Sequence, residues 1–227
     1  MTNEQLSAVL ASHKAWLEGK EGQRADLTGA SLTGASLTGA DLTCASLTGA
    51  NLTRASLTNA RLTGADLTRA YLTRADLTGA RLIGARLTDA NLYGADLTGA
   101  RLTGAILTGA DLTDANLTGA ILSGANLTGA SLTNARLTGA NLTRAYLRGA
   151  QIEGQTIISL LRRATRSDGY EFFLWHCKEG FFVKAGCRFM DMKEARKHWT
   201  ETRGGTPLGD ETLDILRFFA TAIKRAA

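Results

Sequence analysis

One period governs this chain: five residues, repeated without insertion or deletion from Ala25 to Gly149. The run opens ADLTG ASLTG ASLTG ADLTC ASLTG. Every fifth residue from Leu27 to Leu147 is Leu, 25 positions in all, and every fifth from Ala25 to Ala145 is Ala. A period of five matches neither the 3.6-residue helix turn nor the two-residue alternation of a long strand. It matches a short strand closed by a corner. Residues two apart share a strand face, so Ala25 and Leu27 point one way while Asp26 and Thr28 point the other. Gly29 can then take the backbone angles of a corner. Successive sides wind around an interior of Leu and Ala.

Tandem A(D/N)LXX units resemble the pentapeptide-repeat family, over about 125 of the 227 residues. The resemblance implies a mainly β fold, a right-handed parallel quadrilateral β-helix with four pentapeptides per coil and Leu stacked along the axis. At a strand spacing of ~4.8 Å the run would make a rod about 30 Å long. One such column is Leu27, Leu47, Leu67, Leu87, Leu107, Leu127 and Leu147. Burying each Leu is worth roughly 1.5–3 kcal/mol before entropy is charged. The interior should be narrow, dry and filled, with no room for a ligand. Leucine-rich repeats need longer periods, collagen needs three, and calcium-binding nonapeptides need Asp-Gly-rich turns.

Chemistry is therefore expected outside, at the position before each Leu. Residues 20 apart share a face, and one face reads Asp41, Arg61, Arg81, Arg101, Ile121, Asn141. Three arginines at coil spacing repel unless screened, and such a row could track a phosphate backbone; a solvated face is the plainer reading. Asp76 lies below Asp96 on a second face, and Asp66 below Arg86 on a third, a surface ion pair worth little. Thr follows nearly every Leu and suits an exposed β surface, where stacked Thr can bond to one another. Some family members are read as duplex-DNA mimics that act on DNA gyrase. Mimicry needs an acidic exterior, whereas residues 25–150 carry ten Arg, eight Asp and no Glu.

An open coil exposes backbone groups and apolar stacks, so both ends need caps. Residues 1–22 supply an N-terminal helix, with Thr2 and Gln5 as a capping box and Leu6, Val9, Leu10, His13 and Leu17 on one face. His13 is read as a packed neutral histidine. The repeats occupy 23–155. Residues 156–227 hold most of the aromatics, including every Phe, and form a small α+β module. Its strands are expected at 158–165, 170–177 and 181–188 as a three-stranded meander, its helices at 192–202 and about 210–225. The phrases AGCRFMDMKEARKHW and RGGTPLGDET resemble a module found after pentapeptide repeats in bacterial and phage-borne proteins, which implies nothing chemical.

Three possible sites fall in this module. Cys177, Cys187, His176 and His198 lack the paired C-x-x-C spacing of zinc sites, and buried thiols are the simpler reading. A Cys187–His198 nucleophile pair has no orienting third group. Arg203, Gly204, Gly205 and Thr206 could hold an anion at a helix start but lack the GK[ST] of a P-loop. No metal or cofactor is expected.

The formal charge of +5 is spread over 26 basic and 21 acidic residues without a block of one sign. Nucleic acid is thus not implied by composition. A weak binder through the Arg61/Arg81/Arg101 stripe with Arg162, Arg163 and Arg166 remains an alternative. An odd count of three cysteines without framework spacing points to a reducing, cytoplasmic setting. No apolar run approaches the ~20 residues that cross a bilayer. The expectation is a non-enzymatic scaffold that binds a protein partner, as a monomer or as a homodimer through a terminal module.

Overall fold

Each pentapeptide has five backbone N–H groups to satisfy, and where they go defines the fold. In the computed structural model, which describes residues 1–152, 155–185 and 188–226, residues before Leu pair in parallel with those 20 further on, from Asp26↔Ser46 to Ser131↔Gln151. Four such positions fall in every 20 residues, so the chain stacks on itself coil by coil. Around Leu27 the donors run Ser46 N to Ala25 O (3.0 Å), Leu27 N to Ser46 O (2.8 Å) and Gly29 N to Thr48 O (2.9 Å). Ala30 N closes a turn onto Leu27 O at 3.0 Å. Only the Thr N–H is left out of the ladder.

The residue before Leu supplies that missing acceptor. Asp26 Oδ1 takes the Thr28 N–H at 3.1 Å, and Asp96 Oδ1 takes that of Thr98 at 2.9 Å. All eleven Asp and Asn at this position do the same. A short carboxylate or amide bonding two residues ahead is the Asx turn. These outward side chains complete the backbone accounting that any ordered segment needs.

The corner sits at the fifth position, where all 25 residues have positive φ. Sixteen are Gly; the others are Cys44, Arg54, Asn59, Arg69, Arg74, Asp89, Asp114, Asn134 and Arg144, with φ of 55–59°. A residue with a Cβ is strained there, and the surrounding ladder overcomes that cost nine times.

Inside, Leu42 to Leu132 and the Ala between them are at most 1% exposed. Helix α1 (Asn3–Leu17) closes one end, started by the Thr2/Gln5 capping box. His13, fully buried, accepts the Ala25 N–H on Nδ1 at 3.0 Å, and Ser12 Oγ accepts Gln23 N–H at 2.9 Å. The helix thus takes up amides at the entrance to the first coil.

At the other end stands a sheet of five strands rather than the expected three. In order they are β1 (Gln151–Ile152), β2 (Gln155–Thr165), β3 (Glu171–Cys177), β4 (Gly180–Ala185) and β5 (Arg188–Asp191), each antiparallel to the next. The extra strands are short, two and four residues, and carry too little periodicity to announce themselves. Helices α2 (Met192–Arg203) and α3 (Pro207–Ala226) follow. Asp191 and Glu194 form the capping box of α2. Pro207 opens α3 earlier than expected, because proline's missing N–H is an orphan in a first turn anyway.

Strand β3 is buried on both sides. Phe173, Trp175 and Cys177 join the coil core, while Phe172 and Leu174 pack with Trp199, Leu216 and Phe219 of the helices. The sheet therefore lies between the last coil and the helix pair, and seals the apolar stack that a solenoid end would expose.

Candidate interaction surface

The face with the arginine row is built by the ladder itself. Bridges Asp41↔Arg61, Arg61↔Arg81 and Arg81↔Arg101 put these residues in register on successive coils. All three guanidinium groups are exposed, and Arg61 Nε lies 3.3 Å from Asp41 Oδ2. Arg61 is thereby partly neutralised. Arg81 and Arg101 have no carboxylate partner among the described residues. Ile121, 36% exposed, and Asn141 continue the face. Like charges a coil apart make this face positive, and the neighbouring row Asp76↔Asp96 makes another negative. Arg86 Nε reaches Asp66 Oδ2 only at 3.8 Å.

Thr side chains on these faces do not bond to each other in the way their stacking suggests. Thr28 Oγ1 meets Ser46 Oγ at 2.8 Å, Thr58 donates to Asp76 at 2.8 Å and Thr73 to Asn91 at 3.0 Å. In these three pairs the partner is the residue before Leu on the next coil, 18 positions on, whereas Thr43, Thr98 and Thr118 bond the residue before Leu of their own repeat. Thr78 also hydrogen-bonds Asp76, which holds that carboxyl below the usual range.

Arg162 and Arg163, neighbours on β2, and Arg166 just beyond it, grouped with the stripe in the sequence, have different partners. Arg166 is buried: Nε and Nη2 grip Asp168 at 2.9 and 2.6 Å, and Nη1 donates to Thr212 at 2.9 Å. The guanidinium holds Asp168 down to about 2. A side chain used to pin the hairpin to α3 cannot also meet a phosphate backbone. Arg163 donates through Nε to Glu171 at 2.8 Å. Only Arg162 stays exposed without a carboxylate among the described residues.

The remaining candidates are placed as follows. Burial pushes the Cys177 thiol up to about 11, against the thiolate that a ligand or nucleophile needs. His176 stacks on Phe181 at 4.7 Å and His198 meets Trp199 edge-on at 5.1 Å. Cys187, and with it the Cys187–His198 pair, lies outside the described residues. Gly204 ends α2, and Gly205 has φ of 76°. Thr206 Oγ1 donates to Arg203 O at 2.7 Å and accepts Gly209 N–H at 3.1 Å, so the start of α3 is already capped. The leucines Leu27, Leu47, Leu67, Leu87, Leu107, Leu127 and Leu147 are 0–4% exposed.

Comparison with known families decides the classification. The model for Pentapeptide repeats, in 8 copies, matches residues 23–59, 50–89, 85–124 and 120–154. The chain belongs to the pentapeptide-repeat family. Among solved structures it is similar to HetL, a pentapeptide repeat protein involved in heterocyst differentiation regulation in the cyanobacterium Nostoc sp. strain PCC 7120. The identity is 36% over 58% of this chain and 73% of that one, with a TM-score of 0.31. A second Nostoc pentapeptide repeat protein, alr5209, is 30% identical over 59% of this chain and 94% of its own, with a TM-score of 0.37. QnrB1, a plasmid-mediated fluoroquinolone resistance protein, is 22% identical over 57% and 79%, with a TM-score of 0.28. No curated protein sequence matches the chain.

Proposed function

We propose that this pentapeptide-repeat protein is a non-enzymatic scaffold that presents the outer faces of its coils to a protein partner. The observation that carries the reading is the division of labour in each repeat. Leu and Ala fill the interior, with Leu42 to Leu132 at most 1% exposed, while variation is confined to outward positions held in rows by the ladder. A filled interior leaves no cavity for a substrate, and rigid rows at coil spacing suit recognition of another surface. We read the stack as the right-handed, four-sided winding that the family resemblance implies; four bridged positions per coil support the four sides. A duplex-DNA mimic is the weaker alternative, because the Arg61/Arg81/Arg101 face is basic and the aspartates before Leu are engaged with backbone N–H groups.

The test is affinity capture with wild type and two charge variants of equal fold. One is Arg81→Gln/Arg101→Gln; the other is Asp76→Asn/Asp96→Asn, which keeps the Asx bonds. The reading expects a defined protein that rebinds in purified form and is lost with one face only. Binding indifferent to both faces and to unfolding of the coils would contradict it.

A further inference from the structure

We propose that a groove between the last coil and the sheet binds a small, multiply charged phosphate ester. The groove is open to solvent, measures about 550 Å³ and is lined by residues 142–148 with Thr128 below and Leu160, Leu161, Arg162 and Arg163 across. That volume lies within the range of small-ligand sites. Four of its lining residues are arginines: Arg144, Arg148, Arg162 and Arg163. None is Asp or Glu. Arg163 is committed to Glu171, whereas Arg144, Arg148 and Arg162 are exposed and have no carboxylate among the described residues. These three arginines come from two parts of the fold and line the groove with Leu142, Leu147, Leu160 and Leu161. Arg162 spends one donor on Leu161 O at 2.7 Å, and the guanidinium groups otherwise suit bidentate bonds to an ester's phosphates.

The sequence marks the same place. Thr follows Leu in 21 of 25 repeats, and one of the four departures is Arg148. In that same repeat, AYLRG, the position before Leu carries Tyr146, which is 66% exposed and also lines the groove. Both outward departures of the repeat thus meet the module's arginines. The Tyr146 ring offers a stacking surface to a planar group on the ester. The site lies outside the filled interior and is independent of the scaffold faces described above.

Calorimetric titration of the whole chain with inorganic triphosphate, then with adenosine triphosphate, tests it. The groove predicts saturable binding of both at low salt, weakened at least tenfold in Arg144→Gly/Arg148→Thr. Those changes restore the residues found elsewhere in the repeats, so the variant should fold, and circular dichroism checks that it does. A tighter affinity for the nucleotide that disappears in Tyr146→Ala would assign the ring its part; equal affinities would restrict the site to the phosphates. Arg54→Gly, on a distant corner, should change nothing. Absence of saturable binding, or binding that survives Arg144→Gly/Arg148→Thr, overturns the proposal.

Discussion

The carboxylate of Glu171 accepts the backbone N–H of Gly139. In the coil below, Gly119 N donates to Thr138 O at 2.8 Å, the ladder's ordinary acceptor for this position. Gly139 stands at the end of the stack, and a side chain of β3 takes over the part that another coil would play. The other oxygen of Glu171 accepts Arg163, and the residue is 7% exposed. One carboxylate therefore both ends the ladder and fastens the sheet to it.

Glu171→Ala should accordingly destabilise the chain by about 1–2 kcal/mol, since the Gly139 N–H loses its acceptor and the half-exposed Arg163 its partner. Urea denaturation followed by tryptophan fluorescence reads this directly. A loss below ~0.5 kcal/mol would mean that the module docks without that contact.

Asp96→Ala should cost about 1 kcal/mol, because the Thr98 N–H loses its acceptor. Arg81→Asn works in the opposite sense. It removes a like charge between Arg61 and Arg101 and gives the Ile83 N–H the acceptor that Asn provides at other coils. Melting temperature should be unchanged or higher, with the electrostatic share of the gain shrinking as salt is added. A fall at every salt concentration would show that Arg81 is held by a partner.

Acidification should loosen the N-terminal cap first. Burial lowers the pKa of His13 from 6.5, and the nearby Arg24 lowers it further; Asp41 and the Thr43 backbone oppose this. Protons then bind the unfolded chain more readily than the folded one, so this contribution is complete above pH 6.5. It is lost as pH falls from there through the depressed folded value. Trp16 stacks on His13 at 5.5 Å and reports the change by fluorescence. A signal flat from pH 7.5 to 4.5 in wild type would sink the assignment.

Gly109→Ala should destabilise by about 1–2 kcal/mol. Gly109 has φ of 67°, and a Cβ there would overlap the Asp89 carboxylate of the coil below. Arg54→Gly, at a corner of φ 57°, should be neutral or stabilising by thermal melting. Equal effects of the two changes would show that corner strain does not matter.

The period of five made the coils legible, because a Leu at every fifth position can be buried in few ways. What was missed follows from interactions that periodicity does not encode. The role of Asp26 or Asp96 appears only when backbone donors are counted one by one. Strands β1 and β5 are defined by their neighbours rather than by their own residues. Arg163 and Glu171 sit eight apart on different strands, and Arg166 looks like any surface cation until Asp168 and Thr212 close around it. The groove at Arg144 and Arg148 exists only because the module packs on the last coil.

The account depends most on a closed, filled interior with every chemical group outside it. Leu87 is fully buried in the column between Leu67 and Leu107. Leu87→Arg would place an unpaired charge in that dry space and should cost more than ~4 kcal/mol, seen as a collapse of the thermal transition. A variant that melts within a few degrees of wild type would show that the interior is not closed, and the scaffold reading would fail with it.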